Sequence, residues 1–490
     1  MTARSASADD VTNAVSTARR AFPAWAETPI RERLNRLDAF RLTLVAAVDE
    51  CVEVVGRECG KIEADVVGEV FQTANLIRFL VRNAASILKP RSRSSFPLLH
   101  KRAWIEYAPF GVVGIISPWN YPIVLPAAAA IQALAAGNTV VQKPSEHATE
   151  SARLLVDLWK RSGGRADVWL MVEGGPEAGA ALAAAQVDKI SFTGGLNGGR
   201  AVLRAAAGSL TPTLLELGGS DAMLVCPDAN LTRAAEGAVW GAFYNAGQSC
   251  IGVRRCFVHQ SIVEPLAAEI VHQAAKLTSN DGAPGVASDF GPLRTQSQLE
   301  RIRVAVDDAV GKGAKLASGA ATSNADVNVA PIVLTGVQPG MRVMTEELFG
   351  PILSITSVAS MDEAVEWANG SPLGLGASVW SKDRNVARAL GRRLQAGGVT
   401  INDCLVHFAV PALPFGGVKA SGFGRSHGEE GLREFCTTKA FLENRFSLAR
   451  EFHWFSSRHR QGLFRRFLGV LHPRSWIDGL KSLLVFGRRG

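Results

Sequence analysis

No run of 18 apolar residues occurs in these 490 residues, which argues against a membrane-spanning helix. No internal repeat of fixed period is visible, which argues against solenoids and propellers. Cysteine is scarce, with seven residues at 51, 59, 226, 250, 256, 404 and 436. None forms a Cys-x-x-Cys, and no Cys/His group has zinc-ligand spacing, so no metal site is assigned. An odd, sparse set of thiols suits a reducing compartment, and the cytoplasm is the expected location. The opening segment, MTARSASADDVTNAVSTARR, mixes both charge signs and lacks an apolar h-region, so it does not read as a signal peptide.

Excess charge is also missing from most of the chain. The net charge is +8, but the stretch from Arg445 onward carries ten Lys or Arg against two Asp or Glu. Residues 1–444 are therefore neutral overall. The body has no charge support for nucleic-acid binding, and nucleic acid is not an expected partner.

What is present has the texture of a globular protein, 47% hydrophobic and 20% charged. A chain of this length exceeds the usual size of one hydrophobic core, so two or more domains are expected. Residues 10–90 read as several amphipathic helices. After YAPFG the pattern alternates. VVGII (112–116), NTVVQK (138–143), DVWLMV (167–172), DKISF (188–192) and PTLLEL (212–217) read as strands. Between them lie an Ala-rich helix ending on Gly137, helices at 147–161 and 176–185, and one from about Gly198. This βαβ alternation predicts a parallel, doubly wound sheet, with ligands bound beyond the C-terminal strand ends. AMLVC, GVRRCFVH, PILSITSV and GGVTIND repeat the α/β texture over about 219–415.

The Gly-x-Gly-x-x-Gly fingerprint follows none of these strands. EGGPEAG (173–179), containing Gly175, and SFTGGLNGG (191–199) each come just after a strand. Either brings backbone close to a pyrophosphate or is simply a tight turn. NAGQSC (245–250) ends on Cys250. A lone cysteine is more often a buried small hydrophobe than a nucleophile. By themselves Asn120 reads as a turn residue, Lys143 as a surface lysine and Glu216 as an exposed strand-end charge.

Seven stretches shift these readings together. PWNYP (118–122), QKPSE (142–146), FTGG (192–195), LELGG (215–219), NAGQSC, EELFGP (346–351) and PFGGVKASGFGR (414–425) occur in that order. The set resembles the aldehyde dehydrogenase superfamily of NAD(P)-dependent enzymes, from about residue 10 to 443. The resemblance implies an α/β fold with a Rossmann-like dinucleotide-binding domain, a second α/β catalytic domain and a small oligomerisation arm. The corresponding boundaries are 1–97 with 111–218 for NAD binding and 219–415 for catalysis. The arm and a bridging segment take 98–110 with 416–445, and a basic tail takes 446–490.

The implied reaction oxidises an aldehyde to a carboxylic acid with NAD. Hydride is hard to remove from an sp² carbon, and addition of a thiolate first makes that carbon tetrahedral. Cys250 would be the thiolate. The oxyanion would be held by the Asn120 amide and the backbone N–H of Cys250. Glu216 would be the base that hydrolyses the resulting thioester, and burial would raise its pKa toward a useful range. Ile116, Trp119, Thr193, Gly194 and Gly195 would lie against the cofactor's nicotinamide and pyrophosphate, and Gly175 and Leu217 would also bind the cofactor. Lys143 would bind ribose hydroxyls, and Glu347 and Phe349 would hold the nicotinamide ribose. Glu146 would accept from the adenine ribose 2′-OH and repel a 2′-phosphate, favouring NAD, although some relatives with glutamate there accept NADP too. Tyr121, Val124, Tyr244, Ile251 and Phe415 would line the substrate tunnel. They are apolar or aromatic, with no arginine, so an apolar or aromatic aldehyde is expected rather than a carboxylate-bearing one.

The pattern departs from the common one at Gly195, often a serine in relatives, and at Ser220 and Asp221, where many read a lysine. The alternatives are a coenzyme A-acylating dehydrogenase, which often lacks the Glu216 carboxylate, and a catalytically silent membrane-recruited scaffold. A homodimer or homotetramer is the implied assembly. The tail is the largest departure. RQGLFRRFLGVLH spaces Leu463, Phe464, Phe467, Leu468 and Leu471 helically, with Arg465 and Arg466 between them. WIDGLKSLLVF does the same with Trp476, Leu480, Leu483 and Leu484. Such segments reach only about 16 Å, too short to span a bilayer. They suit either a peripheral place in a membrane interface or packing against the protein, and both stay open.

Overall fold

The computed structural model describes residues 6–279, 288–319 and 327–447, and beyond these 449, 451, 453, 454, 460–473 and 475–478. Two compact units divide the chain, one of residues 1–89 with 107–438 and one of 90–106 with 439–490.

The larger unit holds two sheets. In the first, strands pair in the order Gly422–Phe423, Thr213–Glu216, Lys189–Thr193, Val112–Ser117, Thr139–Pro144, Trp169–Met171. The last five are parallel, and Gly422–Phe423 caps one edge antiparallel. Val112–Ser117 and Thr139–Pro144 are buried along their whole length, as expected of strands covered on both faces. Helices Val124–Ala136 and Thr149–Arg161 share one core with the N-terminal helices. Pro176–Ala184, Leu196–Ala207 and Ala8–Glu27 share the other. The Ala-rich helix Val124–Ala136 is stopped by Gly137, whose φ of +100° is the left-handed region that glycine enters without steric cost. The chain winds outward from Val112–Ser117 through two strands, then resumes on its other side with Lys189–Thr193. The crevice at this reversal lies beyond the C-terminal ends of those two strands, where doubly wound sheets bind ligands.

The second sheet has seven strands, in the order Lys315–Ser318, Ile332–Thr335, Ile352–Val358, Val253–His259, Asp221–Val225, Gly376–Trp380, Gly398–Ile401. All pairings but the first are parallel, and a core lies on each face. The five strands expected between 112 and 217 are present, each within two residues of its expected ends.

The smaller unit is built on a sheet with strand order Arg91–Arg93, Lys101–Pro109, Cys436–Asn444. Trp104 stacks on Phe441 with ring centroids 5.0 Å apart, and Glu451 pairs with Lys101 at 3.0 Å and His100 at 3.1 Å. The division differs from the expected boundaries at residues 90–97, 107–110 and 416–438. Residues 90–97 join the arm, because Arg91–Arg93 pairs with residues 103–105. Residues 416–438 stay with the main unit, because Gly422–Phe423 pairs with Leu215 and Glu216, and Gly428–Arg433 packs on Val124–Ala136. In the tail, Arg460–Leu471 is a helix with Phe464 and Leu468 exposed. The side chains of Leu463 and Arg466 lie outside the described residues, as do Leu480, Leu483 and Leu484 of the second segment, of which only exposed Trp476, Ile477 and Asp478 are described in helical form. Among the described residues no helix is long and apolar enough to cross a membrane.

Candidate active site

The link from Thr213–Glu216 to Asp221–Val225 is only Leu217-Gly218-Gly219-Ser220, and it runs from one sheet to the other. Glu216 ends the first strand and is buried. Among the described residues neither of its carboxylate oxygens has a hydrogen-bond partner. Burial holds the Glu216 carboxyl well above the ordinary carboxylate range. Arg425 and Ser426 pull it down without closing a hydrogen bond, and Glu434 pushes it further up. A carboxyl in this state takes up a proton readily near neutral pH, as a base requires.

Cys250 sits on the loop after helix Leu231–Phe243. Asn245, Ala246 and Gly247 turn that loop at φ of +55°, +54° and +67°. Two non-glycine residues in the left-handed region are strained and persist only where their surroundings hold them. Arg254, buried on the next strand, supplies the hold by donating to the carbonyls of Ala242 at 2.9 Å, of Gly247, and of Ser249 at 3.4 Å. Gly247 has no room for a side chain, since a Cβ there would lie 2.1 Å from the Gly350 carbonyl oxygen.

The thiol of Cys250 is pushed well above its usual range by burial, and then by the carboxylates of Asp221, Glu347 and Glu216, while the Ile251 N–H pulls it down. Of these carboxylates, Asp221 follows the Ser220 that stands where many relatives have a lysine, and it is buried. That carboxyl is raised by burial to about 7 and accepts from the Gly376 N–H at 2.9 Å.

Asn120 follows the strand Val112–Ser117 and is buried. Its Nδ2 donates to the Gln248 carbonyl at 3.0 Å, two residues before Cys250, which leaves the second amide hydrogen for another acceptor. Asn245 Nδ2 donates to the carbonyls of both Asn120 (3.2 Å) and Gln248 (3.3 Å), fastening the two loops together.

Cys250, Asn120 and Glu216 line one cleft of about 370 Å³, with Trp119, Glu146, Thr193, Gly194, Gly195, Leu217, Glu347 and Phe349. The cleft occupies the crevice at the strand-order reversal. Gly195 is the N-cap of helix Leu196–Ala207, has no side-chain cap, and faces open space where its Cβ would be. Its free first-turn N–H groups suit the pyrophosphate of a dinucleotide. Trp119 and Phe349 meet edge to face at 5.8 Å. Glu347 is raised to about 7 by burial, and its carboxylate fills the place of a Gly218 side chain, 1.9 Å from where that Cβ would be. Exposed Glu146 stands at the cleft wall. These features fit a nicotinamide dinucleotide. Ile116, Lys143 and Gly175 do not line the cleft. Ile116 is buried in its strand, and Lys143 is buried with its Nζ donating to the Gly175 carbonyl at 3.3 Å. Burial lowers the Lys143 ammonium from its usual value, with Glu146 and Glu177 opposing.

Cys250 also opens on a second cavity, of about 190 Å³, where Tyr121, Tyr244, Ile251 and Phe415 are wall residues. Val124 is not. It is buried, with its backbone N–H donating to Glu69 Oε2 at 3.1 Å, and Leu125 takes the wall position instead. The sequence reading missed Leu125, Trp240 and Phe408 on this wall, and Gln298 and Arg301 in the polar cleft. It also missed the buried polar stripe Asp65, Glu69 and Thr73, which interrupts the apolar helix face at i, i+4 spacing and was open to notice. Burial raises Asp65 to about 6, against Lys61.

Comparison with known proteins agrees with this geometry. The family model described as "Aldehyde dehydrogenase family" matches residues 1–441. The chain is 39% identical to "4,4'-diapolycopene aldehyde oxidase" of Methylomonas sp, over 96% of this chain and 88% of that protein. It is 34% identical to "Succinate-semialdehyde dehydrogenase [NADP(+)] 1" of Mycobacterium tuberculosis, over 88% and 94%. Among solved structures it resembles an NAD-dependent aldehyde dehydrogenase from Sinorhizobium meliloti with a TM-score of 0.87 and 32% identity, over 92% of this chain and 89% of that one.

Proposed function

The chain belongs to the aldehyde dehydrogenase family, and from that premise we propose that it oxidises an apolar aldehyde with NAD through a Cys250 thioester that Glu216 hydrolyses. The activity class is oxidation of aldehydes to acids with NAD(P). What carries the finer reading is the placement of Cys250, which opens on a polar cleft suited to a dinucleotide and on an apolar cavity suited to an aldehyde tail.

The Cys250 thiolate adds to the aldehyde carbon. Asn120 Nδ2 and the Cys250 N–H hold the oxygen as its charge develops. Bound NAD supplies the acceptor for the hydride. Glu216, unpartnered and with a raised pKa, then takes a proton from the water that attacks the thioester, releasing the acid and restoring the thiol. Glu146 at the cleft wall favours a 2′-hydroxyl over a 2′-phosphate. The buried Glu216 supports hydrolysis over transfer to coenzyme A, and the assembled site argues against a silent scaffold.

The apolar wall supports an aldehyde without a carboxylate, in contrast to the substrate named for the Mycobacterium tuberculosis relative. The match to the diapolycopene aldehyde oxidase supports the same reading and covers 96% of the chain. The uncovered 4% is shorter than the 446–490 tail, so the match includes part of that tail. The test is NADH production, without coenzyme A, from a long-chain aldehyde and from succinic semialdehyde. The long-chain aldehyde is expected to have a kcat/KM at least about tenfold higher, the scale of one or two methylenes in an apolar pocket. A preference for the semialdehyde, or an absolute need for coenzyme A, contradicts the reading. Replacing NAD by NADP in the same assay is expected to lower kcat/KM.

Two further readings concern partners. The exposed edge strand Cys436–Asn444 supports a homodimer or homotetramer joined through the arm. The basic tail, with Phe464, Leu468 and Trp476 exposed, supports peripheral contact with an anionic membrane from the cytoplasm, where seven unpaired cysteines are at home. Full-length protein is expected to sediment with anionic liposomes at low salt and to be released at high salt. A chain ending at Arg445 should stay in the supernatant, and light scattering on the same samples should show no monomer. Full-length protein that stays in the supernatant contradicts membrane contact, and a monomer contradicts the assembly.

A further inference from the structure

Beneath Asn120 lies a buried ion pair that the reaction described above does not use. Lys61 precedes helix Glu63–Ile87, and Glu69 lies on the buried face of that helix; both are almost wholly inaccessible. Lys61 Nζ stands 2.8 Å from Glu69 Oε1. The same ammonium donates to the backbone carbonyl of Asn120 at 2.8 Å and sits 4.2 Å from the centre of the Tyr121 ring. Glu69 Oε2 accepts from the backbone N–H groups of Ile123 at 2.9 Å and Val124 at 3.1 Å, at the start of helix Val124–Ala136.

An ion pair here is an expensive way to stabilise a fold, since apolar side chains of similar volume are often no worse. Its contacts all fall on one short stretch. Lys61 grips the peptide of the residue whose amide meets the oxyanion, and Glu69 grips the backbone three and four residues later. From the other side Asn245 ties the same Asn120 carbonyl to the cysteine loop.

We propose that Lys61 and Glu69 are positioning residues for Asn120, fixing the direction of its side-chain amide relative to Cys250 by clamping the backbone on which it is carried. This rests on the oxyanion role given to Asn120 above. Neither Lys61 nor Glu69 is itself a wall residue of the cleft or the cavity; Lys61 lies behind the wall residues Asn120 and Tyr121. The pair acts through the placement of a donor, and displacement by about 1 Å costs on the order of 100-fold in rate.

The test is a double-variant cycle in the full-length protein, with kcat, KM for the aldehyde and the dissociation constant of NAD measured for Lys61→Met, Glu69→Gln, Asn120→Ala and the Lys61→Met/Asn120→Ala pair. Asn120→Ala alone is expected to lower kcat about 100- to 1000-fold. Lys61→Met and Glu69→Gln should each lower kcat about 10- to 100-fold. KM and NAD affinity should stay within about twofold, as for sites that do not contact those ligands. Once Asn120 is alanine, adding Lys61→Met should cost no more than about threefold, because residues acting through one contact are not additive. Fully additive losses overturn the proposal, and so does loss of NAD affinity in both single variants, which would mark the pair as structural. If Asn120→Ala leaves kcat unchanged, the oxyanion assignment itself fails and takes this inference with it. Additive losses on top of a damaging Asn120→Ala leave that assignment standing and remove only the inference.

Discussion

Replacing Cys250 by serine should abolish NADH production while leaving NAD binding intact. The loss should be on the order of 10⁴-fold or more, the scale seen when a covalent nucleophile is removed. Serine keeps the loop volume and the Cys250 backbone N–H, so the cleft and its donors remain. The control is Cys256, six residues on. Its thiol lies in the core of the second sheet, fully buried and raised by burial to about 12, and it lines none of the cavities around Cys250. Cys256→Ser should retain most of its activity. Steady-state NADH formation and NAD titration by protein fluorescence check both. Equal losses in the two variants would remove Cys250 from its role.

Replacing Glu216 by glutamine should separate the two halves of the reaction. Hydride transfer needs no proton acceptor at this position, and thioester hydrolysis does, so a burst of NADH close to one per site should be followed by turnover slowed about 100- to 10,000-fold. The pH dependence carries the sign of the shift. Burial raises the Glu216 carboxyl, so its basic form is lost as pH falls through a value above the ordinary carboxylate range and is gained as pH rises. In the parent enzyme the hydrolytic step should therefore speed up with pH through that value. In Glu216→Gln this rising limb should be absent. A glutamine variant with no burst would instead make Glu216 the group that deprotonates Cys250, a role open to it because the thiol is itself held protonated by burial and by three carboxylates.

How far the sequence reached depended on the kind of information each residue carries. The strands Val112–Ser117 to Thr213–Glu216 were legible because largely buried parallel strands read as short apolar runs bounded by turn-forming residues. Cys250, Asn120 and Glu216 were legible only as members of an ordered set of short motifs. No local rule says that an asparagine between two prolines will meet a cysteine loop 128 residues later. Val124 went wrong by one position. On a helix a shift of one residue is about a quarter-turn and carries a side chain from wall to core, where Leu125 shows the other side of the same turn. Phe408 and Trp240 were invisible because a long-range cavity wall leaves no periodic trace. The buried carboxylates Asp65 and Glu69 were the opposite case. Charged residues at the buried face of a helix are a local signal, and an amphipathic reading of residues 10–90 passes over them when it counts only the apolar stripe.

The covalent step can be observed directly. Glu216→Gln protein mixed with NAD and a long-chain aldehyde, quenched in acid during the slow phase, should show an intact mass increased by one acyl group. Proteolysis should place that group on the peptide containing Cys250, in an amount equal to the NADH formed in the burst. An unmodified protein after a full burst, or an acyl group on any other cysteine, would contradict a Cys250 thioester.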